Sequence, residues 1–121
     1  MAHSRIAVLV VEDEVLLRMG MVDHLEDEGF EVFEASNADE AIEILTAISR
    51  IQVLFTDVDM PGGMDGLKLA AAVRDRWPPI KVVVTSGHRN VATEHLPVEA
   101  VFFAKPYNAD TVIAKMREMV G

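Results

Sequence analysis

The 121-residue sequence contains no cysteine, which excludes disulfides, thiol redox chemistry and thiolate-bound zinc. Its four histidines, His3, His24, His88 and His95, show no pair at the spacing of a metal site. Cations are scarce, with 11 Lys and Arg against 20 Asp and Glu and a formal charge of −9. A protein that tracks nucleic-acid phosphates needs clustered Lys and Arg. No such cluster exists in this sequence, so direct nucleic-acid binding is not expected. No apolar run approaches the ~20 residues of a membrane span, and membrane insertion is not expected either. Met1 to Arg5 leads straight into a strand-like run without a signal-peptide pattern. The expected location is the cytoplasm.

What the sequence does have is apolar content and order. Half of the residues are hydrophobic and 26 % are charged, enough to build one core and too apolar for a disordered chain. The length suits one domain, with a core over about 5–120 and no output domain within the sequence. Four short β-rich runs stand out at Ile6–Val11, Val53–Phe55, Ile80–Val84 and Val101–Ala104, with a weaker one at Glu31–Ala35. Most are continuous in apolar residues rather than alternating, as in parallel strands covered on both faces.

Helices are expected between these runs. Val15–Glu28 ends at Gly29, a residue suited to a left-handed cap. Ala38–Ile48 follows Asn37, which has capping-box spacing to Glu40, and carries Ala41, Ile42, Leu45 and Ile48 at helical intervals. Leu67–Trp77 stops at Pro78-Pro79. A short helix is expected around Asn90–His95, ended by Pro97. The last helix starts after Asn108 and shows Ala109, Val112, Ile113, Met116 and Val120 as one stripe. In the first helix, Leu17, Met21, Val22 and Leu25 form the expected core stripe. Val15, Leu16 and Met19 are left on other faces.

The order is therefore β-α repeated five times, which argues for an α/β fold with a parallel sheet. Right-handed crossovers with helices on both faces point to a doubly wound, flavodoxin-like sheet of strand order 2-1-3-4-5. In such a sheet the strand C-termini share one edge, and ligands bind there near the switch in strand order. Glu12, Asp13 and Glu14 follow the first strand, Asp57 and Asp59 the third, Thr85 and Ser86 the fourth, and Lys105-Pro106 the fifth. Turns alone favour Asp, Ser and Thr, yet a turn has no need of Lys-Pro at one strand end and an acidic pair at another.

Clustered carboxylates repel each other unless a cation sits among them. An all-oxygen set suits a hard cation, and Mg²⁺ takes one or two protein carboxylates, waters and phosphate oxygens. Mg²⁺ (or Mn²⁺) is thus the expected cofactor, with Asp13 and Asp57 as direct ligands. Glu12 is expected to act through water, and a main-chain carbonyl near Asp59 to complete the protein's share. A carboxylate in such a place can become an aspartyl phosphate. Lys105 would neutralise phosphoryl charge and Thr85 donate a hydrogen bond to it.

These pieces resemble the receiver domain of bacterial two-component response regulators. The matching stretches are VLVVEDE (Val8–Glu14), LFTDVDMPGGMDG (Leu54–Gly66), VVVTSG (Val82–Gly87) and FFAKPY (Phe102–Tyr107). The likeness runs from Ile6 to Val120. It implies that Glu12 and Asp13 bind Mg²⁺ and that Asp57 accepts a phosphoryl group from a histidine kinase or histidine phosphotransfer protein. It further implies that Thr85 and Phe102 are switch residues and that Lys105, followed by Pro106, contacts the phosphoryl group. Asp59 and Gly87 fall where the family tunes dephosphorylation. The implied protein is a phosphorylation-dependent signalling switch, a monomer or weak homodimer, and not a turnover enzyme.

Two departures stand out. Glu12 replaces the commoner Asp, and the loop Met60–Gly66 runs one residue longer than the family's Met-Pro-x-x-x-Gly. The apolar residues Val15, Leu16 and Met19 are expected to help dock the kinase-side helix. Competing functions are a haloacid-dehalogenase-like phosphatase, from Asp57-Val58-Asp59, and a pseudo-receiver that never accepts phosphate. A flavin-binding protein of the same topology is a third, although the acidic turn after the first strand is a poor phosphate cradle.

Overall fold

The apolar runs become a five-stranded sheet in the computed structural model, which describes residues 5–59, 66–87 and 99–121. The elements in chain order are β1 (Ala7–Val11), α1 (Val15–Asp27), β2 (Glu31–Ala35), α2 (Ala38–Ala47), β3 (Val53–Asp57), α3 (Gly66–Arg76), β4 (Lys81–Ser86), β5 (Val101–Ala104) and α4 (Ala109–Val120). All pairings are parallel and the strand order is β2-β1-β3-β4-β5, as expected from the alternation. The expected helix around Asn90–His95 and the loop Met60–Asp65 lie outside the described residues.

Side-chain alternation splits the core into two layers. Leu9, Val11, Leu54, Val82 and Val84 face α2 and α3, where Ala41, Leu45, Leu69 and Val73 meet them. Val8, Val10, Val53, Phe55 and Val83 face α1 and α4, packed on Val22, Leu25, Ile113 and Met116. Both faces of the central strands are covered, which is why those strands read as unbroken apolar runs. Among the described residues, no helix is long and apolar enough to cross a membrane.

The helix signals act largely as read. Asn108 Oδ1 accepts from the Thr111 N–H at 3.1 Å, and Gly29 takes φ of 92° after α1, a conformation open to glycine. Asn37 Oδ1 accepts from the Glu40 N–H at 2.8 Å. Glu40, however, reaches past Asn37 and accepts from the Ser36 N–H and hydroxyl at 2.7 and 2.8 Å.

Two expectations need correction. Leu17 does not join the core stripe of α1, whose buried residues are Met21, Val22 and Leu25; it is 42 % exposed. The stripe begins a turn later because Leu17 lines a groove shared with Lys105, Pro106 and Tyr107 instead. β3 and β4 also run on to Asp57 and Ser86, since the ladder continues through the pairs Asp57–Thr85 and Ser86–Ala104. Backbone pairing outlasts the apolar run.

Candidate functional site

The extended ladder carries polar side chains into the sheet edge itself. Asp57 closes β3 and is only 2 % exposed. Its Oδ1 accepts from the Asp59 N–H at 2.9 Å and its Oδ2 from Lys105 Nζ at 2.9 Å. Lys105 follows β5 and is held there by its own N–H, which donates to the Ser86 carbonyl at 2.9 Å. Its ammonium also reaches Glu12 Oε1 at 3.3 Å. The Lys105–Pro106 peptide is cis.

β1 delivers Glu12 and Asp13 to the same place. One carboxylate oxygen each from Glu12, Asp13 and Asp57 lies within 4.8 Å of the others. Glu12 is buried, and its Oε2 accepts from the Glu14 N–H at 3.2 Å. Burial, with the charge of Asp57 adding to it, raises the Glu12 carboxyl to about 7, against the opposing pull of the Glu14 N–H and Lys105. Burial lowers the Lys105 ammonium, but its hydrogen bond to Asp57 and the charges of Asp57 and Glu12 more than offset this and hold it above the usual lysine range. Tyr107, set edge-on to Phe55 at 5.5 Å, is raised by burial and then by the Glu12 charge.

Two buried polar atoms lack a hydrogen-bond partner among the described residues: Asp13 Oδ1 and Thr85 Oγ1. Buried polar groups are nearly always satisfied. An orphaned carboxylate oxygen inside an all-oxygen cluster fits a hard divalent cation. The Thr85 hydroxyl lies at the level of Asp57, its ladder partner.

Glu12, Asp13, Asp57 and Lys105 thus lie together at the sheet edge, with Thr85 beside Asp57 in the ladder. The others stand around that group. The Asp59 carboxylate turns towards β4, where Oδ2 accepts from Ser86 Oγ at 2.9 Å and the Gly87 N–H at 3.0 Å. Phe102 pairs with Val84 in the ladder and is partly buried against the α2–α3 layer.

Gly66 matters in a way its motif did not announce. A Cβ there would sit on the Asp57 carbonyl and 2.7 Å from Val58 Cα. The start of α3 therefore rests directly on the backbone that presents Asp57. Arg18 was not singled out either, yet its Nη1 donates to the Glu12 carbonyl at 2.7 Å. Next to the pocket, Leu16, Leu17, Gly20 and Met21 of α1 face Lys105, Pro106 and Tyr107 across an apolar groove of about 530 Å³. Leu16 is 84 % exposed, and Val15 and Met19 are also exposed.

A family model described as a response regulator receiver domain matches residues 8–117. The chain is 36 % identical to the sensor kinase CckA of Brucella abortus (strain 2308), over 93 % of this chain and 12 % of that protein. It is 33 % identical to the nitrogen assimilation regulatory protein NtrX of Azorhizobium caulinodans, over 93 % of this chain and 25 % of that one. It therefore spans a quarter or less of the length of these relatives. The crystal structure of a response regulator receiver protein from Pseudomonas putida superposes with a TM-score of 0.85 at 27 % identity, covering 97 % of this chain and 99 % of that one. Strand order, the grouping at the sheet edge and these likenesses agree: the chain belongs to the response regulator receiver domain family.

Proposed function

We propose that Asp57 is the phosphoacceptor of this receiver domain, charged by a phosphohistidine on a histidine kinase or histidine phosphotransfer protein. One observation carries this reading: Asp57 Oδ2 lies 2.9 Å from the Lys105 ammonium inside a three-carboxylate cluster. An Asp57 carboxylate oxygen attacks phosphorus, the phosphorus–nitrogen bond breaks, and the imidazole leaves with the bonding electron pair and takes up a proton. Little covalent help is needed in such a transfer; placement and charge neutralisation do most of it.

Asp13, Asp57, the Asp59 carbonyl and, through water, Glu12 are the groups that would hold Mg²⁺ or Mn²⁺. Bound there, the cation supplies positive charge to the phosphoryl oxygens. Lys105 supplies a second positive charge and exchanges its contact with the Asp57 carboxylate for one with the phosphoryl group. Thr85, with its hydroxyl buried and unpartnered among the described residues, is positioned to donate to a phosphoryl oxygen. That bond draws the end of β4 inward and biases Phe102, the ladder partner of Val84, towards a second arrangement. Asp59 and Gly87 set how readily water reaches the phosphoryl group, and Pro106 shapes the approach of Lys105. The domain then loses its phosphoryl group slowly rather than turning over a substrate.

The phosphatase alternative needs the second carboxylate of Asp-x-Asp as a free acid/base. Asp59 instead accepts hydrogen bonds from Ser86 and Gly87, which disfavours it. We assign the exposed start of α1, with Val15, Leu16 and Met19, to docking of the partner's phosphohistidine-bearing helix. The protein acts in the cytoplasm as a monomer or weak homodimer.

The test is incubation with Mg²⁺ and acetyl phosphate, followed by intact mass. The parent gains one phosphoryl group and Asp57→Asn gains none. A gain in both moves the acceptor elsewhere. No gain in either, with the fold intact by circular dichroism, points to a module that never accepts phosphate.

A further inference from the structure

The turn between β1 and α1 presents Glu12 and Asp13 to the pocket, yet it has few local locks. The β1 ladder ends at Val11, paired with Ala35 and Thr56. Helix α1 starts at Val15, and its N-cap, Glu14, makes no side-chain capping bond. The first turn contains no acidic residue to suit the positive end of the helix. The Glu12 N–H is secured by the Ala35 carbonyl at 3.1 Å. The Glu12 carbonyl lies beyond both the ladder and the first helical bond, which runs from the Arg18 N–H to Glu14.

Arg18 supplies its donor. Nη1 reaches the Glu12 carbonyl at 2.7 Å while Nε bonds Glu34 Oε1 at 2.9 Å. The side chain is only 16 % exposed. A cation near a helix N-terminus is disfavoured by the helix dipole, and an ion pair to a half-exposed carboxylate is worth little by itself. What the placement achieves is a bridge. One guanidinium ties the start of α1 to the end of β1 and to β2, and residue 12 is gripped at both its N–H and its carbonyl. The other ties on the turn, from the Glu14 N–H and the Lys105 ammonium to the Glu12 carboxylate, compete with any use of that carboxylate on a cation. The Arg18 tie does not, because it holds the main chain.

We infer that Arg18 is a positioning residue for the acidic pocket: by gripping the Glu12 carbonyl it fixes the turn bearing Glu12 and Asp13, and so sets the pocket's affinity for a divalent cation it never touches. The inference rests on the pocket being the divalent-cation site proposed above. Supporting groups behind metal ligands commonly change affinity by about 10–100-fold when removed.

The experiment titrates MgCl₂ into the full chain by calorimetry, with acetyl-phosphate labelling rates measured at saturating Mg²⁺. Arg18→Ala raises the Mg²⁺ Kd about tenfold, and Arg18→Lys, which keeps a charge but not the two-pronged bridge, raises it about threefold. At saturating Mg²⁺ both label within about twofold of the parent, because the chemical groups are intact. Arg50→Ala is the control. It breaks the ion pair to Glu31 at the other end of β2 and leaves the Kd unchanged. An unchanged Kd in Arg18→Ala overturns the inference, as does an equal rise in Arg50→Ala or a rate deficit that Mg²⁺ cannot restore. If Arg18→Ala does not fold, the Lys variant decides by the same criteria. A parent that binds no Mg²⁺ removes the pocket reading and this inference together; a parent that binds it, beside an unaffected Arg18→Ala, removes this inference alone.

Discussion

Lys105 stands between two unlike regions. On one side lies the acidic pocket, where Glu12 and Asp57 are buried and three carboxylates crowd together. On the other lies the groove against α1, apolar and open, with Leu16 almost wholly in solvent. Buried carboxylates work against the stability of the fold unless paired. An exposed apolar patch costs the fold nothing and is a liability only in solution. The pocket is therefore intolerant of change in shape, whereas the groove is free to vary with whatever docks on it. The proposed chemistry resides in the first region and the proposed recognition in the second, and one lysine borders both.

Breaking the pocket by shape has the largest expected effect. Gly66→Ala forces a Cβ onto the Asp57 carbonyl. Overpacking against backbone of this kind costs about 3 kcal/mol, a fall in Tm of about 10–20 °C, and acetyl-phosphate labelling falls with it. A melt within a degree or two of the parent shows that the α3 start relaxes freely.

Charge is the next lever. Glu12 titrates at about 7 in the fold against 4.5 ordinarily. A raised carboxyl binds its proton more tightly in the folded state, so this group's contribution to stability is lost as pH rises from 4.5 through 7. Without divalent cations, Tm is expected to fall over that range, and Glu12→Gln to flatten the fall. Because protons and cations compete for the same oxygens, Mg²⁺ raises Tm more at pH 8 than at pH 5.5. A Mg²⁺ effect independent of pH contradicts this.

The smallest effect is expected in the groove. Leu16→Asp leaves Tm and acetyl-phosphate labelling at parent levels but slows phosphotransfer from a histidine phosphodonor protein about fivefold, since only partner docking is disturbed. Equal slowing with both donors places the defect in the pocket instead.

The sheet order and the pocket membership were legible because both depend on local signals. Apolar runs identified the strands, Asn37, Asn108 and Gly29 marked helix ends, and the parallel topology placed every strand's polar tail on one edge. What escaped was set by long-range contact. Leu17 has the spacing of a core residue, but it lines the groove shared with Lys105, Pro106 and Tyr107. Glu40 has capping-box spacing to Asn37, yet Ser36 offers two donors and takes its carboxylate. Gly66 is one glycine in a loop until β3 is seen beneath it. Arg18 is an ordinary helix residue until β1 and β2 place a carbonyl and Glu34 within its reach.

Ser86 is gripped from two directions. Its hydroxyl goes to Asp59 beyond β3, and its carbonyl takes the Lys105 N–H beyond β5. Thr85, the next residue back, cannot slide inward by degrees while its neighbour is pinned on both flanks. If Thr85 moves as proposed, these two bonds couple the ends of β3, β4 and β5 to that movement. A joint of that kind behaves like a latch rather than a spring, and packed interfaces favour two discrete settings over a continuum. On the proposed reading, phosphorylation of Asp57 would then be registered, molecule by molecule, as an on-or-off mechanical event.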